Sequence, residues 1–490
     1  MLGGPAPYQA GVTLAGMLAA VCGMAVMSSA HAGDWRLTTG VSVEESFSDN
    51  ASLATGDAER NSEFITQISP NISVRGQGGR MSLGLNYTPS QLLHRQDSTK
   101  DQVNHNLAAT GQIEVWDRVA FVEAQASVSR QIINNEEASS TSLAGQNVNR
   151  TETRAINITP IFRHHFGTWV ETESRLTFSK VDTAEDELES TRTITENLRI
   201  NSGRRFTVLQ WSTNIRSEKV QNDGDSPTQR TQTVDGNLTY IVSPKLSLLA
   251  SLGYEKVEDS TLNSEPKGLT WNAGFQARPS GKTDFRFTYG IDNDTQTIDF
   301  SANHRLSERT SLSASFSESL ETSQGEISDD LSFVIVDPVS NGLIDSRTGN
   351  PFTGSNNNLG LQDETFRQEE FRVSLNGSRR LVTFGASAFW ERRKTESTSI
   401  TESTVGADLS LGRTINTRTS GNVALNYKST DFGTVDERTQ KEITFSTGLR
   451  YSLAPDVSVN FSYILTHRRV NNANEDLTEN AVTVGLSKRF

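Results

Sequence analysis

Histidines paired with nucleophiles or carboxylates are the first residues that could do chemistry, and six follow residue 32: His94, His105, His164, His165, His304 and His467. A hydrolytic device needs a base held by a third group. A zinc site needs at least three spaced ligands. The His164-His165 pair follows Phe162 at an expected turn, with neither an orienting carboxylate nor a third ligand nearby, so it reads as a solvated turn. Asp292-Asn293-Asp294 opens like a calcium loop, but the glycine and the closing glutamate that such a loop requires are missing, and it reads as a tight turn. The single cysteine, Cys22, lies in a leading apolar run and allows neither a disulfide framework nor a thiolate zinc site downstream. No enzyme, cofactor or metal is expected.

Charge ladders are the second set. Glu171, Glu173 and Arg175 alternate in one segment; Arg199, Arg204 and Arg216 fall in the next two. Asp284 with Arg286, Asp299 with Arg305, and Arg372 with Glu391 and Arg393 follow. In each segment the charges share a phase opposite to the apolar residues, which places them on the other face of a strand. Such side chains suit a wet interior and are prohibitive against hydrocarbon. Two roles fit: a selective surface for a passing anionic or polar solute, or a charge-balanced wall that keeps a channel hydrated.

The elements that must carry these ladders are strands. From Trp35 onward the chain is a succession of segments with period-2 alternation, as in Leu246, Leu248, Ala250, Leu252 and Tyr254, or Val457, Val459, Phe461, Tyr463 and Leu465. Short turns such as Gly76 to Gly79, Ser243 to Lys245 and Ala454 to Asp456 alternate with long polar loops such as Ser48 to Ser62, Asn134 to Thr151 and Ser217 to Arg230. That alternation is the mark of a transmembrane antiparallel up-and-down outer-membrane β-barrel, here of roughly twenty-two strands, with no separate plug domain expected because strands begin at Trp35. Tyr87, Tyr254, Tyr289, Trp390, Tyr427 and Tyr463 fall near the outer strand ends and Trp35, Tyr240 and Tyr451 near the inner ends, all on the apolar phase, as interfacial girdles require.

Composition agrees. With 490 residues, 34% hydrophobic, the chain is too polar for several two-sided cores, and its 36 Gly against 12 Pro is not a linker composition. The formal charge of −13 argues against a phosphate-tracking surface, so no nucleic-acid partner is expected. Val12 to Met27 is an uncharged apolar run followed by Ser28-Ser29-Ala30-His31-Ala32, which predicts a signal peptide over 1–32 and a mature barrel over 33–490. The longest connection, 321–364, holds the apolar stretch Leu331 to Val336 and a Gly/Asn-rich run to Gly360, so it could form a short hairpin that constricts the mouth or meets a partner.

The chain ends on a strand with Val482, Val484, Leu486 and Phe490 on one face. Gly485 and Phe490 resemble the terminal signal read by the outer-membrane barrel assembly machinery, while Lys488 stands where an apolar residue is usual. Four segments, Glu45 to Leu53, Glu63 to Arg80, Asn104 to Trp116 and Phe121 to Gln131, resemble the outer-membrane protein family associated with the PEP-CTERM and exosortase system of Gram-negative bacteria, most clearly over the first quarter of the chain. The resemblance implies an exopolysaccharide-locus role at the outer membrane and carries over no catalytic residues.

The expectation is therefore a barrel of the Gram-negative outer membrane that binds or passes a polar polymer non-covalently, in exopolysaccharide or cell-surface polymer production or export. Its partners would be outer-membrane lipid, the assembly machinery, polysaccharide and periplasmic export components. Three rivals stand beside it: a general solute porin, a structural anchor for PEP-CTERM-sorted surface proteins, and a barrel lipase or protease.

Overall fold

The computed structural model describes residues 33–134, 136–137, 149–184, 190–223, 228–258, 267–292, 295–336, 343–345, 361, 365–395, 398, 400–433, 438–471 and 475–490. The leading segment 1–32 with Cys22, the pair Asn293-Asp294, and the Gly/Asn-rich run to Gly360 lie outside the described residues.

Strands β1 (Asp34–Ser48), β2 (Glu63–Gln77), β3 (Met81–His94), β4 (Gln102–Trp116), β5 (Ala120–Ile132), β6 (Arg150–Phe166), β7 (Val170–Thr183) and β8 (Thr191–Ser202) form the first third of the wall. It continues through β9 (Leu209–Asn222), β10 (Gln229–Ser243), β11 (Leu246–Glu258), β12 (Lys267–Ser280), β13 (Thr283–Asp292), β14 (Thr295–Ser307) and β15 (Thr310–Glu321). A helix, α1 (Ser323–Ser332), and two short strands, β16 (Val334–Val336) and β17 (Leu343–Asp345), interrupt it. The wall then resumes with β18 (Phe366–Arg379), β19 (Val382–Thr395), β20 (Thr401–Thr414), β21 (Thr419–Asp431), β22 (Thr439–Ala454), β23 (Val457–Val470) and β24 (Leu477–Arg489). The wall is one 22-stranded antiparallel sheet in which each strand pairs with its sequence neighbours. It closes where β1 meets β24, from Gly40 opposite Arg489 to Ser48 opposite Ala481.

Alternation decides which way each side chain points. On β11, Leu246, Leu248, Leu252 and Tyr254 are exposed outward, while Ser247, Leu249 and Ser251 face the lumen half-buried. The outward surface is a continuous apolar band, and its lower rim carries aromatic rings: Trp35, Trp116, Phe162, Phe166, Trp169, Tyr240 and Tyr451 are all exposed near the short turns. Glycines opposite aromatics lock local register. The Trp35 ring lies on Gly76, Phe384 on Gly377 and Phe389 on Gly406, each pair directly across the ladder. A Cβ on Gly406 would sit 2.3 Å from the Phe389 ring, so only glycine leaves room for the ring to lie flat.

The expected fold, an up-and-down barrel with no separate plug domain, is corrected on one point: the lumen is not left open, because part of the 321–364 connection occupies it. The connection between β15 and β18 turns inward: α1 packs on β5, β6 and β7, and β16 and β17 contact β3 and β4. The larger apolar cluster among the described residues lies there, with Ile327, Leu331, Val334, Leu343 and Leu361 against Ala108, Ala155 and Val181, while a smaller one, Ile65 with Leu92, lies within the wall. The physical reason is that a wide lumen leaves wall alanines and valines uncovered, and an apolar loop segment covers them.

Candidate functional site: the occluded lumen

Thr322 starts α1 by accepting a hydrogen bond from the Gly325 amide at 3.1 Å, and Ile327 and Leu331 then fall on one helical face four residues apart. That face buries in the cluster with Ala155 on β6 and Val181 on β7, and the helix packs on β5 as well. Polar contacts hold the helix there. Asn157 and Ser179 face each other across the β6–β7 ladder. The Asn157 amide donates to the Ser328 carbonyl at 2.9 Å, the Ser328 hydroxyl donates to Asn157 Oδ1 at 3.3 Å, and the Ser179 and Ser328 hydroxyls lie 2.7 Å apart.

The helix also reaches the far wall. Its Glu326 lies 3.8 Å from Arg393 on β19, and Arg393 is fully buried with its guanidinium 4.0 Å from the centre of the Phe366 ring. Ten wall strands separate β6 from β19 in either direction, so one helix links opposite sides of the barrel. A second crossing lies close by. Arg438, before β22, and Arg468 on β23 both donate to the Glu136 carbonyl in the β5–β6 loop, at 3.0 and 2.6 Å, and Arg438 also pairs with Glu475 at 2.7 Å. The Leu361 amide donates to the Ile132 carbonyl at 3.2 Å. The end of the lumen that carries the long loops is bridged from several sides.

Around this bridge the lumenal face is a lattice of opposite charges. On one wall Arg163 pairs with Glu173 and Arg175 with Glu123, each at 2.6 Å. Arg216 lies in the field of Glu218, Glu255 and Asp329 of α1. On the opposite wall Arg372 binds Glu370 at 2.7 Å and stacks over Phe389. Lys428 lies in the field of Glu442, Glu402 and Glu391, and Glu442 in that of Arg468. Both signs alternate around the lumen, which suits transient contact with a polar chain more than tight capture of one ion.

Of the residues that the sequence singles out, Glu171, Glu173, Arg175, Arg199 and Arg216 face the lumen on β7, β8 and β9. Asp284 and Arg286 do so on β13, where Asp284 accepts from Gln276 and Arg278. Arg305 lines β14, and Arg372, Glu391 and Arg393 line β18 and β19. Arg204 sits elsewhere, exposed in the turn between β8 and β9. Gly485 faces inward beside Glu44, and Phe490 is exposed with its amide bound to the Thr39 carbonyl at 2.7 Å. Sequence reasoning missed Asn157, Ser179, Ser328, Glu326 and Lys428. Asn157 and Ser179 carry a signal in retrospect, as polar residues on the inward phase in strands whose outward phase is apolar.

The histidines do not converge. His94 binds Asp101 through its backbone amide at 2.7 Å, His105 meets Tyr87 at 2.9 Å, His304 meets Thr283 at 2.8 Å and His467 meets Thr478 at 3.0 Å. His164 and His165 lie not in a turn, as the sequence suggests, but at the exposed end of β6, where His165 is 3.9 Å from Glu171 directly across the ladder. Among the described residues no group of three or more His, Cys, Asp or Glu is placed to hold a metal.

No curated protein matches the sequence. The model of the family described as "Putative beta-barrel porin 2" matches residues 382–490, that is β19 through the last residue. Among solved structures, the open form of the ferric-catecholate import receptor Fiu from E. coli K12 is 9% identical with a TM-score of 0.51, covering 92% of this chain and 81% of that one. The siderophore receptor PirA from Acinetobacter baumannii gives 9% identity and the same score, covering 92% and 80%. At that identity the likeness speaks for the fold alone. Among the described residues, what occupies the lumen of this wall comes from the β15–β18 connection. A closed 22-stranded wall with an apolar exterior, a polar lumen and a porin-family match over its last strands is a porin-like β-barrel of the outer-membrane type.

Proposed function

We propose that the chain is a gated channel in the outer membrane of a Gram-negative bacterium, passing or holding a polar, charge-bearing polymer such as an exopolysaccharide by non-covalent contact. One observation carries this reading: α1 bridges opposite walls through a small apolar face, a few hydrogen bonds and an ion pair, among lumenal charges of both signs. A permanent seal would be expected to rest on a larger apolar contact, whereas polar contacts exchange readily with a polymer's hydroxyls and carboxylates. The resemblance of the N-terminal segments to the PEP-CTERM-associated family supports the polymer over small solutes. On this reading the partners are outer-membrane lipid, the assembly machinery, the polysaccharide and periplasmic export components, with neither nucleic acid nor a catalytic step.

Single-channel recording tests it. The mature protein in planar bilayers should show low or intermittent conductance, and removal of 321–364 should give a large steady conductance that an anionic oligosaccharide blocks. Absence of current in both forms would refute the channel. The porin-family match over 382–490 favours a second reading, a general solute porin. That reading predicts ohmic conductance in the intact protein and no block by oligosaccharide.

A further inference from the structure

The outer face of the wall carries a row of cations that the lumen does not use. On six adjacent strands, β7 to β12, Lys180, Arg192, Lys219, Arg230, Lys256 and Lys267 all lie on the outward phase. Each shares its face with an exposed apolar residue two or four positions nearer the middle of the strand: Phe178, Ile194, Ile215, Val234, Tyr254 and Leu269. The row therefore crowns the apolar band at the end bearing the long loops.

Its arrangement runs against what a sheet prefers. Lys180 stands directly opposite Arg192, Lys219 opposite Arg230 and Lys256 opposite Lys267. Like charges in such positions repel and destabilise the ladder. Acidic neighbours offset part of the charge, since Lys180 pairs with Asp182 at 2.6 Å, Arg192 with Asp223 at 3.3 Å, and Lys256 with Glu258. Lys219, Arg230 and Lys267 have no ion pair among the described residues. Three cations from two of these pairs, Lys219 with Arg230 and Lys267, thus lack an ion pair at the edge of hydrocarbon, and of them Arg230 alone has an acid, Glu258, directly opposite.

We infer that this row binds the phosphorylated headgroup of an outer-leaflet glycolipid. An anion there would relieve the Lys219–Arg230 and Lys256–Lys267 repulsions together, and phosphate accepts charge-assisted hydrogen bonds from Lys and Arg alike. The apolar residues directly beneath receive the acyl chains of the same molecule, which a free phosphate lacks. The inference rests on the outer-membrane reading given above.

The test uses the folded mature protein in detergent, titrated with diphosphorylated lipid A, with its dephosphorylated form and with inorganic pyrophosphate, and bound lipid counted by native mass spectrometry. Lys219→Gln/Arg230→Gln/Lys267→Gln should bind lipid A roughly tenfold more weakly or worse. Lys245→Gln/Arg309→Gln/Arg418→Gln, which removes three turn cations at the other end, should bind as the parent does. Dephosphorylated lipid should bind weakly to all forms, and pyrophosphate should compete only at far higher concentration. Lipid A binding unchanged in the first variant would overturn the assignment. Pyrophosphate binding as tightly as lipid A would overturn the lipid and leave a soluble phosphate site. Folding is followed by heat-modifiable electrophoretic mobility, and vesicle insertion separately checks the outer-membrane reading, so the two failures are distinguishable.

Discussion

Loosening α1 without touching the wall isolates its role as a gate. Asn157→Ala with Ser179→Ala removes the cradle that holds Ser328, and with it three hydrogen bonds of 2.9, 3.3 and 2.7 Å. The wall ladder itself survives, because β6 and β7 pair through their backbones at these positions. A buried hydrogen bond contributes about 1 kcal/mol net, so docking of the helix weakens by about 3 kcal/mol. The undocked population then rises roughly 100-fold relative to the docked one. Single-channel recording reads this directly as the ratio of time in the high-conductance level to time in the low one. Glu326→Gln, which weakens the contact with buried Arg393 on the opposite wall, should shift the ratio the same way by a smaller factor. The reasoning fails if the double variant keeps the parent ratio while removal of 321–364 opens the channel, because α1 would then not be the element that closes it.

Two further outcomes follow from the wall. Leu252→Arg places a cation on the exposed outward face of β11 and should cost about 2–4 kcal/mol of stability, whereas Ser251→Arg one residue away faces the lumen and should cost far less; guanidinium unfolding in vesicles compares them. Gly406→Val should lower the yield of folded barrel, seen as loss of the heat-modifiable band, because its side chain would occupy the space of the Phe389 ring, and Gly406→Val with Phe389→Ala should recover much of it.

Much of this architecture was legible in the sequence because a barrel wall is built from local rules. The alternation of Leu246 through Tyr254 places strand and face together, and the contrast of short turns with long loops orders the ends. The charge ladders were legible for the same reason, since Glu171, Glu173 and Arg175 follow the same period. Arg204 escaped that logic, as Gly203 and the residues after it form a turn that shifts the phase before β9. The helix α1 was not legible: Ser323–Ser332 is mostly polar, and its only apolar signal is Ile327 and Leu331 spaced by four. What fixes it is contact with Asn157, Ser179 and Arg393, residues far away in sequence that only closure of the wall brings together.

The seam between β1 and β24 governs how such a molecule can be made. Every other pairing in the wall joins strands consecutive along the chain, apart from β15 and β18 with the inward connection between them, and most through a short hairpin, whereas Ser46 and Thr483, bonded at 2.8 Å across the seam, stand 437 positions apart. Loop entropy makes that last contact costlier than a hairpin of about twenty residues by roughly 3 kcal/mol, and nothing rewards it until both edges are complete. A curled sheet with β1 and β24 unpaired is therefore the natural late intermediate, and it presents two open hydrogen-bonding edges at the moment when its outer face is most apolar. Ring closure, more than strand formation, is the step at which this chain needs assistance and at which a fault would lead to aggregation.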